Sequence, residues 1–168
     1  MNRDGEMTDA AAAAGTPTKS PTAAPQPKSD QPLAGLLVAA GWPSQITDVV
    51  VPHRAAQRDS LRRFLHSDSL ELAPCGFGIW LCAAAGAGEN KRNFVAGPLA
   101  KLMQSAFHGE VHGPAVFLGG PRKGSGQLTA LNDAQRALIH RAYTMVVTQH
   151  MERAEDDLAF RARLDADG

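Results

Sequence analysis

Long hydrophobic runs are missing from this chain. The longest candidate, Leu33–Ala40, has eight residues and is interrupted by Gly35, against the roughly 18 that a membrane-spanning helix needs. A secretory leader is not expected either. Asp4, Glu6 and Asp9 stand where a basic start belongs, and Ala10–Ala14 is short and weakly apolar. Cysteine is scarce: Cys75 and Cys82 have neither metal-ligand spacing nor the number for a disulfide framework. Cys82 is expected to pack as a small hydrophobe. Cys75, in a turn after Pro74, is the candidate for an exposed thiol, without a basic partner to activate it. No charge of either sign is in surplus, since Lys plus Arg and Asp plus Glu each number 17. A nucleic-acid binder commonly carries a basic excess because phosphate contacts supply most of its affinity, so any such surface here is local. The expectation is a soluble cytoplasmic protein with no membrane partner.

What is present is 43% hydrophobic residues in 168, enough for one domain. Residues 1–32 hold five consecutive alanines and Pro17, Pro21, Pro25, Pro27 and Pro32 among Thr, Ser and Lys. They read as a disordered tail that buries too little to offset its ordering entropy. Residues 33–164 read as one globular domain, and 165–168 as a disordered end. Leu33–Ala40 is expected to be a short helix ended by Gly41. Ile46–Val51 is a β-branched strand stopped by Pro52. Arg54–His66 is a helix with Leu61, Phe64 and Leu65 on one side. Leu70–Ala73 and Phe77–Ala84 are strands joined through Pro74-Cys75-Gly76.

Phe94–Phe107 is expected to be helical, with Pro98 in its first turn. Val111–Leu118 is the last strand, followed by a loop over Gly119–Gly126. Asn132 and Gln135 form a capping-box signature. It opens a long helix whose inner stripe is Leu138, Ile139, Ala142, Met145, Val146 and Gln149, and which turns charged from Glu152. The fold class is α+β or small α/β: a mixed or antiparallel sheet of about four strands, helices on one face, and a long C-terminal helix.

From Leu61 to Gly120 the order of elements resembles a small uncharacterised family encoded mainly by bacteriophages, plasmids and actinobacterial genomes. The resemblance rests on Leu61-Arg62-Arg63-Phe64-Leu65, the strand pair and glycine turn, and the helix after Asn93 with Ala96 and Ala100. It continues in Gly113–Gly119, Leu128-Thr129-Ala130-Leu131 and Gln135. It departs from the family at Ala85-Gly86-Ala87-Gly88, where an acidic turn is usual and Glu89 is the one acid. It implies an α/β fold and an accessory protein of a mobile element, in the host cytoplasm if phage-encoded, and carries over no catalytic residue.

Three constellations are candidates for chemistry or binding. In an extended chain His108, Glu110 and His112 share a face, and two imidazoles with a carboxylate suit Zn²⁺ or Fe²⁺. The competing reading is a polar loop with solvated histidines. The pattern is also not the helical His-Glu-x-x-His, because the glutamate comes one residue late and so stands one residue too near the second histidine. Gly119–Gly126 carries Arg122 and Lys123, but Lys123 precedes Gly124 and no helix starts at once, so the loop lacks the phosphate-cradle arrangement. Arg122 and Lys123 are instead candidate contacts to an acidic partner, joined by Lys91 and Arg92 if the fold brings them close. Arg54, Arg58, Arg62 and Arg63 form a basic stripe that Asp59 interrupts and no aromatic interleaves.

No catalytic residue is assigned, and no cofactor is implied beyond a divalent metal at His108, Glu110 and His112. The first reading is a non-catalytic accessory or interaction protein that binds a protein partner. A small metal-dependent enzyme and a nucleic-acid binder using local basic patches are the alternatives.

Overall fold

The computed structural model describes residues 32–52, 55–86, 90–124 and 126–166, with the side chains of residues 55 and 160–166 excluded. The expected N-terminal tail up to residue 31, Arg54, Glu89 and residues 167–168 lie outside the described residues. Five strands form one sheet: β1 (Leu33–Val38), β2 (Ile46–Val51), β3 (Leu70–Pro74), β4 (Ile79–Ala84) and β5 (Ala115–Gly119). Their order is β2-β1-β5-β4-β3 and every pairing is antiparallel. The helices are α1 (Ala55–Leu65), α2 (Ala96–Leu102) and α3 (Asp133–Ala166). The architecture is α+β, with five strands where about four were expected.

β1 corrects the expected helix at Leu33–Ala40. It lies between β2 and β5 and feeds both faces, with Leu36 and Val38 in one apolar cluster and Leu33 in the other. A short apolar run bounded by turn residues suits a doubly buried strand as well as a helix, and its length favours the strand. Gly35 fits closely here, because a Cβ would stand 2.9 Å from the Phe117 carbonyl oxygen.

Alternation along β4 and β5 builds two cores. Leu81, Ala83, Ala115 and Phe117 pack with α2 and α3, while Cys82, Val116 and Leu118 pack with Leu61 and Leu65 of α1. The helices therefore cover both faces of the sheet rather than one. Arg58 and Arg63 of α1 point to solvent, as the apolar spacing predicts.

α2 is shorter than the expected Phe94–Phe107. Asn93 caps its start, with Oδ1 accepting from the amides of Val95 (3.2 Å) and Ala96 (2.8 Å). A Schellman turn ends it: Ser105 N–H donates to the Ala100 carbonyl and Gln104 N–H to that of Lys101, with Gln104 at φ 55°. β5 starts four residues later than expected. Gly113, at φ 74°, and Pro114 interrupt the strand, and the preceding residues pair with the 91–93 segment instead. After β5 the chain returns, so that Thr129 pairs with Gly119 and Leu131 N–H donates to the Ala34 carbonyl.

The capping box of α3 forms as read. Gln135 N–H donates to Asn132 Oδ1 (2.9 Å), and Asn132 N–H donates to Gln135 Oε1 (3.0 Å). The Gln135 Nε2 group also donates to the carbonyls of Phe77 and Gly78, tying the β3–β4 turn to the helix. Ile139, Ala142 and Val146 of the expected stripe are buried. Met145 and Gln149 are exposed, and Tyr143 and Val147 pack in their place. Met151–Ala159 is exposed throughout.

Candidate functional site

Two short segments cross beside the sheet: Arg92 bridges His112 in antiparallel fashion, flanked by bonds from Asn93 N–H to Val111 O (2.7 Å) and Gly113 N–H to Lys91 O (2.8 Å). This crossing, the outer side of α2 and the middle of α3 enclose an open cleft of about 270 Å³. Phe94, Pro98, Val111 and Val146 supply its apolar walls, and Arg92, Lys101 and Arg153 bring cations from three separate elements. Among the described residues Glu110 is the one carboxylate lining it.

Arg92 is the best-held of those cations. Its Nη1 lies 3.0 Å from Glu110 Oε1, and its guanidinium sits 5.4 Å from the centroid of the Phe94 ring. Both partners of the ion pair are about half exposed, so its strength is modest and screened by salt. On the far wall His150 Nε2 donates to the Phe94 carbonyl at 2.9 Å, and the rings of Trp42 and His150 meet edge to face with their centroids 5.9 Å apart. These contacts hold His150 between the Phe94 backbone at the recess and the exposed ring of Trp42 outside it.

Asn93 sets the frame. It is buried, and its Nδ2 donates to the carbonyls of Val38 (3.3 Å), Ala39 (3.3 Å) and Gly113 (2.9 Å). One side chain thus ties the end of β1, the approach to β5 and the start of α2 together.

Of the expected metal set, Glu110 Oε2 and His112 Nε2 approach to 3.7 Å, while His112 Nδ1 lies 3.3 Å from the Asn90 carbonyl. His108 is exposed and bonds to neither. Gly109, at φ 140°, bends the chain between His108 and Glu110, so the extended alternation that would align all three does not hold. Among the described residues no three His, Cys, Asp or Glu side chains gather to hold a metal ion.

The expected basic partners are also divided. Arg92 lies before the N-terminal end of β5 and Arg122 after its C-terminal end. The strand alone separates them by about 13 Å at 3.3 Å per residue. Lys91 and Arg92 therefore do not extend the exposed Arg122 and Lys123 loop. Cys75 is buried, not exposed. Burial pushes its thiol up from the ordinary value, against smaller lowering effects from bonds to Ser105 and the Leu81 backbone. Burial, with the nearby Cys75 adding to it, pushes Cys82 up to about 12. Neither is a nucleophile at neutral pH.

Lys101, Arg153, Phe94 and His150 were not foreseen as a group. Lys101, Arg153 and His150 stand on two different helices and Phe94 just ahead of α2, and only the packing of α2 on α3 brings them together. No family model, curated protein or solved structure matches the chain.

Proposed function

We propose that this chain is a non-catalytic interaction protein whose cleft receives an acidic segment of a protein partner. The observation that carries the reading is the convergence of Arg92, Lys101 and Arg153 on one recess with a single opposing carboxylate, Glu110. In a chain of zero net charge such a concentration of one sign focuses the local field. An incoming carboxylate competes with Glu110 for Arg92, and Phe94 and Val146 receive apolar neighbours of the acidic group. Planar bidentate pairing makes Arg92 the residue that orients the partner.

The test compares a labelled peptide of alternating Asp and Leu with single-stranded DNA of similar charge, each titrated against the full chain at low and high salt. The acidic peptide is expected to bind, and Arg92→Glu combined with Lys101→Glu to weaken it about ten-fold or more. Stronger binding of the DNA, with a steep salt dependence, would move the reading to the nucleic-acid alternative. Loss of neither ligand in the double variant would remove the cleft from consideration. A cytoplasmic location and a mobile-element origin belong to the same proposal, and the neighbourhood of the gene checks the origin. Among the described residues no helix is long and apolar enough to cross a membrane.

A further inference from the structure

On the opposite face of the sheet, β3 is an edge strand whose open hydrogen-bonding groups can be counted. Ala85 N–H donates to the Ser69 carbonyl and Cys75 N–H to that of Ile79, both in the register that pairs Leu70 with Ala84 and Leu72 with Cys82. Inward and outward groups alternate along an antiparallel strand. Residues 69, 71, 73 and 75 therefore turn their backbone groups to β4, and Leu70, Leu72 and Pro74 turn theirs outward. Pro74 has no N–H, and its carbonyl already accepts from Ala106. Among the described residues the free edge is thus the backbone of Leu70 and Leu72.

Beside that edge α1 leaves part of the sheet uncovered. Leu61, Leu70, Leu72 and Leu128 line an apolar groove of about 330 Å³, with Gln57 and Arg58 at its rim. Leu72 is 45% exposed. Gln57 Nε2 is buried and has no hydrogen-bond partner among the described residues, a state that calls for an explanation because such groups are nearly always paired. Arg58 is exposed and forms no ion pair among the described residues.

We propose that an extended peptide of a partner protein docks here as a sixth strand on β3. It bonds to the backbone of Leu70 and Leu72 and inserts one apolar side chain among Leu61, Leu72 and Leu128. It accepts a bond from Gln57 Nε2 and sets a carboxylate against Arg58. The free edge selects an extended backbone, the groove an apolar side chain, and Arg58 a negative charge. The chain's own residues 1–31 are a poorer occupant, since Met1 and Met7 are the only large apolar side chains they hold. A second copy paired through β3 would bring the two Arg58 rims to one seam, with like charges opposed. This groove lies across the sheet from the cationic cleft, so its occupancy and that of the cleft are read separately.

The experiment titrates the full-length, ¹⁵N-labelled protein with fluorescent octapeptides that alternate apolar and polar residues and carry one Glu, one Gln or one Lys. The Glu peptides are expected to shift the amides of Leu70 and Leu72 and to bind about ten-fold more tightly than the Lys peptides, with Arg58→Glu reversing that order. Leu72→Pro removes an outward N–H while keeping every bond to β4, and is expected to weaken binding by about ten-fold. Gln57→Leu is expected to weaken binding while leaving thermal stability equal or higher, an outcome that a purely structural glutamine would not produce. Absence of shifts at Leu70 and Leu72, or binding indifferent to Leu72→Pro, overturns the proposal. So do cross-peaks from Met7 to Leu72 before any peptide is added, and a dimer that Leu72→Pro dissociates, which would assign the groove to the chain's own tail or to a second copy.

Discussion

At Asn93 one carboxamide serves three stretches of backbone: its Nδ2 reaches the carbonyls of Val38, Ala39 and Gly113, and its Oδ1 the first amides of α2. Asn93→Ala removes a cap and strands buried carbonyls, so it is expected to cost about 2–4 kcal/mol, read as a lower midpoint in urea. Asn93→Asp keeps the cap but turns a carboxylate on those carbonyls, and is expected to be no better. The sequence showed an asparagine ahead of a helix; nothing in it announced that the residue is buried among three loose ends. The thiols give a second expectation at this scale. Cys82 stays protonated in the folded protein up to about pH 12, whereas in the unfolded chain it ionises near its ordinary value of 9.0. Above pH 9 the folded state therefore holds the extra proton, and stability falls as pH rises, by roughly 1–2 kcal/mol per pH unit. Urea unfolding of wild type and Cys82→Ala between pH 8.5 and 11 checks this (about two units beyond the ordinary thiol range): the alanine variant should show the shallower slope. At the candidate site Arg92 and Glu110 were visible as charged residues, but their partnership was not, because it spans a crossing that no local pattern encodes.

Elements differ in how plainly they were written. α1 carries its apolar spacing locally, α3 its capping box and β2 its β-branched run, so these were legible within a residue or two at their starts. β1 was not, because a strand buried on both faces loses the alternation by which strands are known. Four of the six positions expected on the inner stripe of α3 pack inward: Leu138, Ile139, Ala142 and Val146. Steps of three and four residues both lead from Ile139, and only the site that Tyr143 reaches, with its hydroxyl donating to the Ser44 carbonyl at 2.6 Å, decides for Tyr143 and Val147 over Met145 and Gln149. Gln135 offers a test of the junction between elements. Gln135→Ala loses both the box and the two bonds to the β3–β4 turn, and is expected to cost about 1–3 kcal/mol. Gln135→Glu retains the acceptor for Asn132 N–H but has no donor for Phe77 and Gly78, so thermal unfolding should place it between wild type and alanine.

Across the whole molecule stability is unevenly shared. β5 is flanked by β1 and β4 and covered on both faces, whereas Met151–Ala159 of α3 is exposed all round. Amide exchange is expected to be slowest at Val116 and Phe117, approaching the global unfolding rate, and far faster beyond Met151. Leu158→Glu is expected to change stability by less than about 0.5 kcal/mol. Mass spectrometry after exchange separates these regions. The two recesses obey the same geography: the cationic cleft lies on the α2–α3 face and the apolar groove on the α1 face.

The position of β5 has a consequence for how the chain is made. β1 with β2, and β3 with β4, are each neighbours in sequence, yet they meet only through a strand that begins at Ala115. During synthesis both hairpins leave the ribosome well before the strand that joins them. Until it arrives, the inner edges of β1 and β4 are unpaired, and their apolar residues are open to other nascent chains. Slow translation between the codons for Ala84 and Ala115 would lengthen that interval and raise the demand for chaperones, and the yield of native protein would depend on elongation speed more than on the stability of the finished fold.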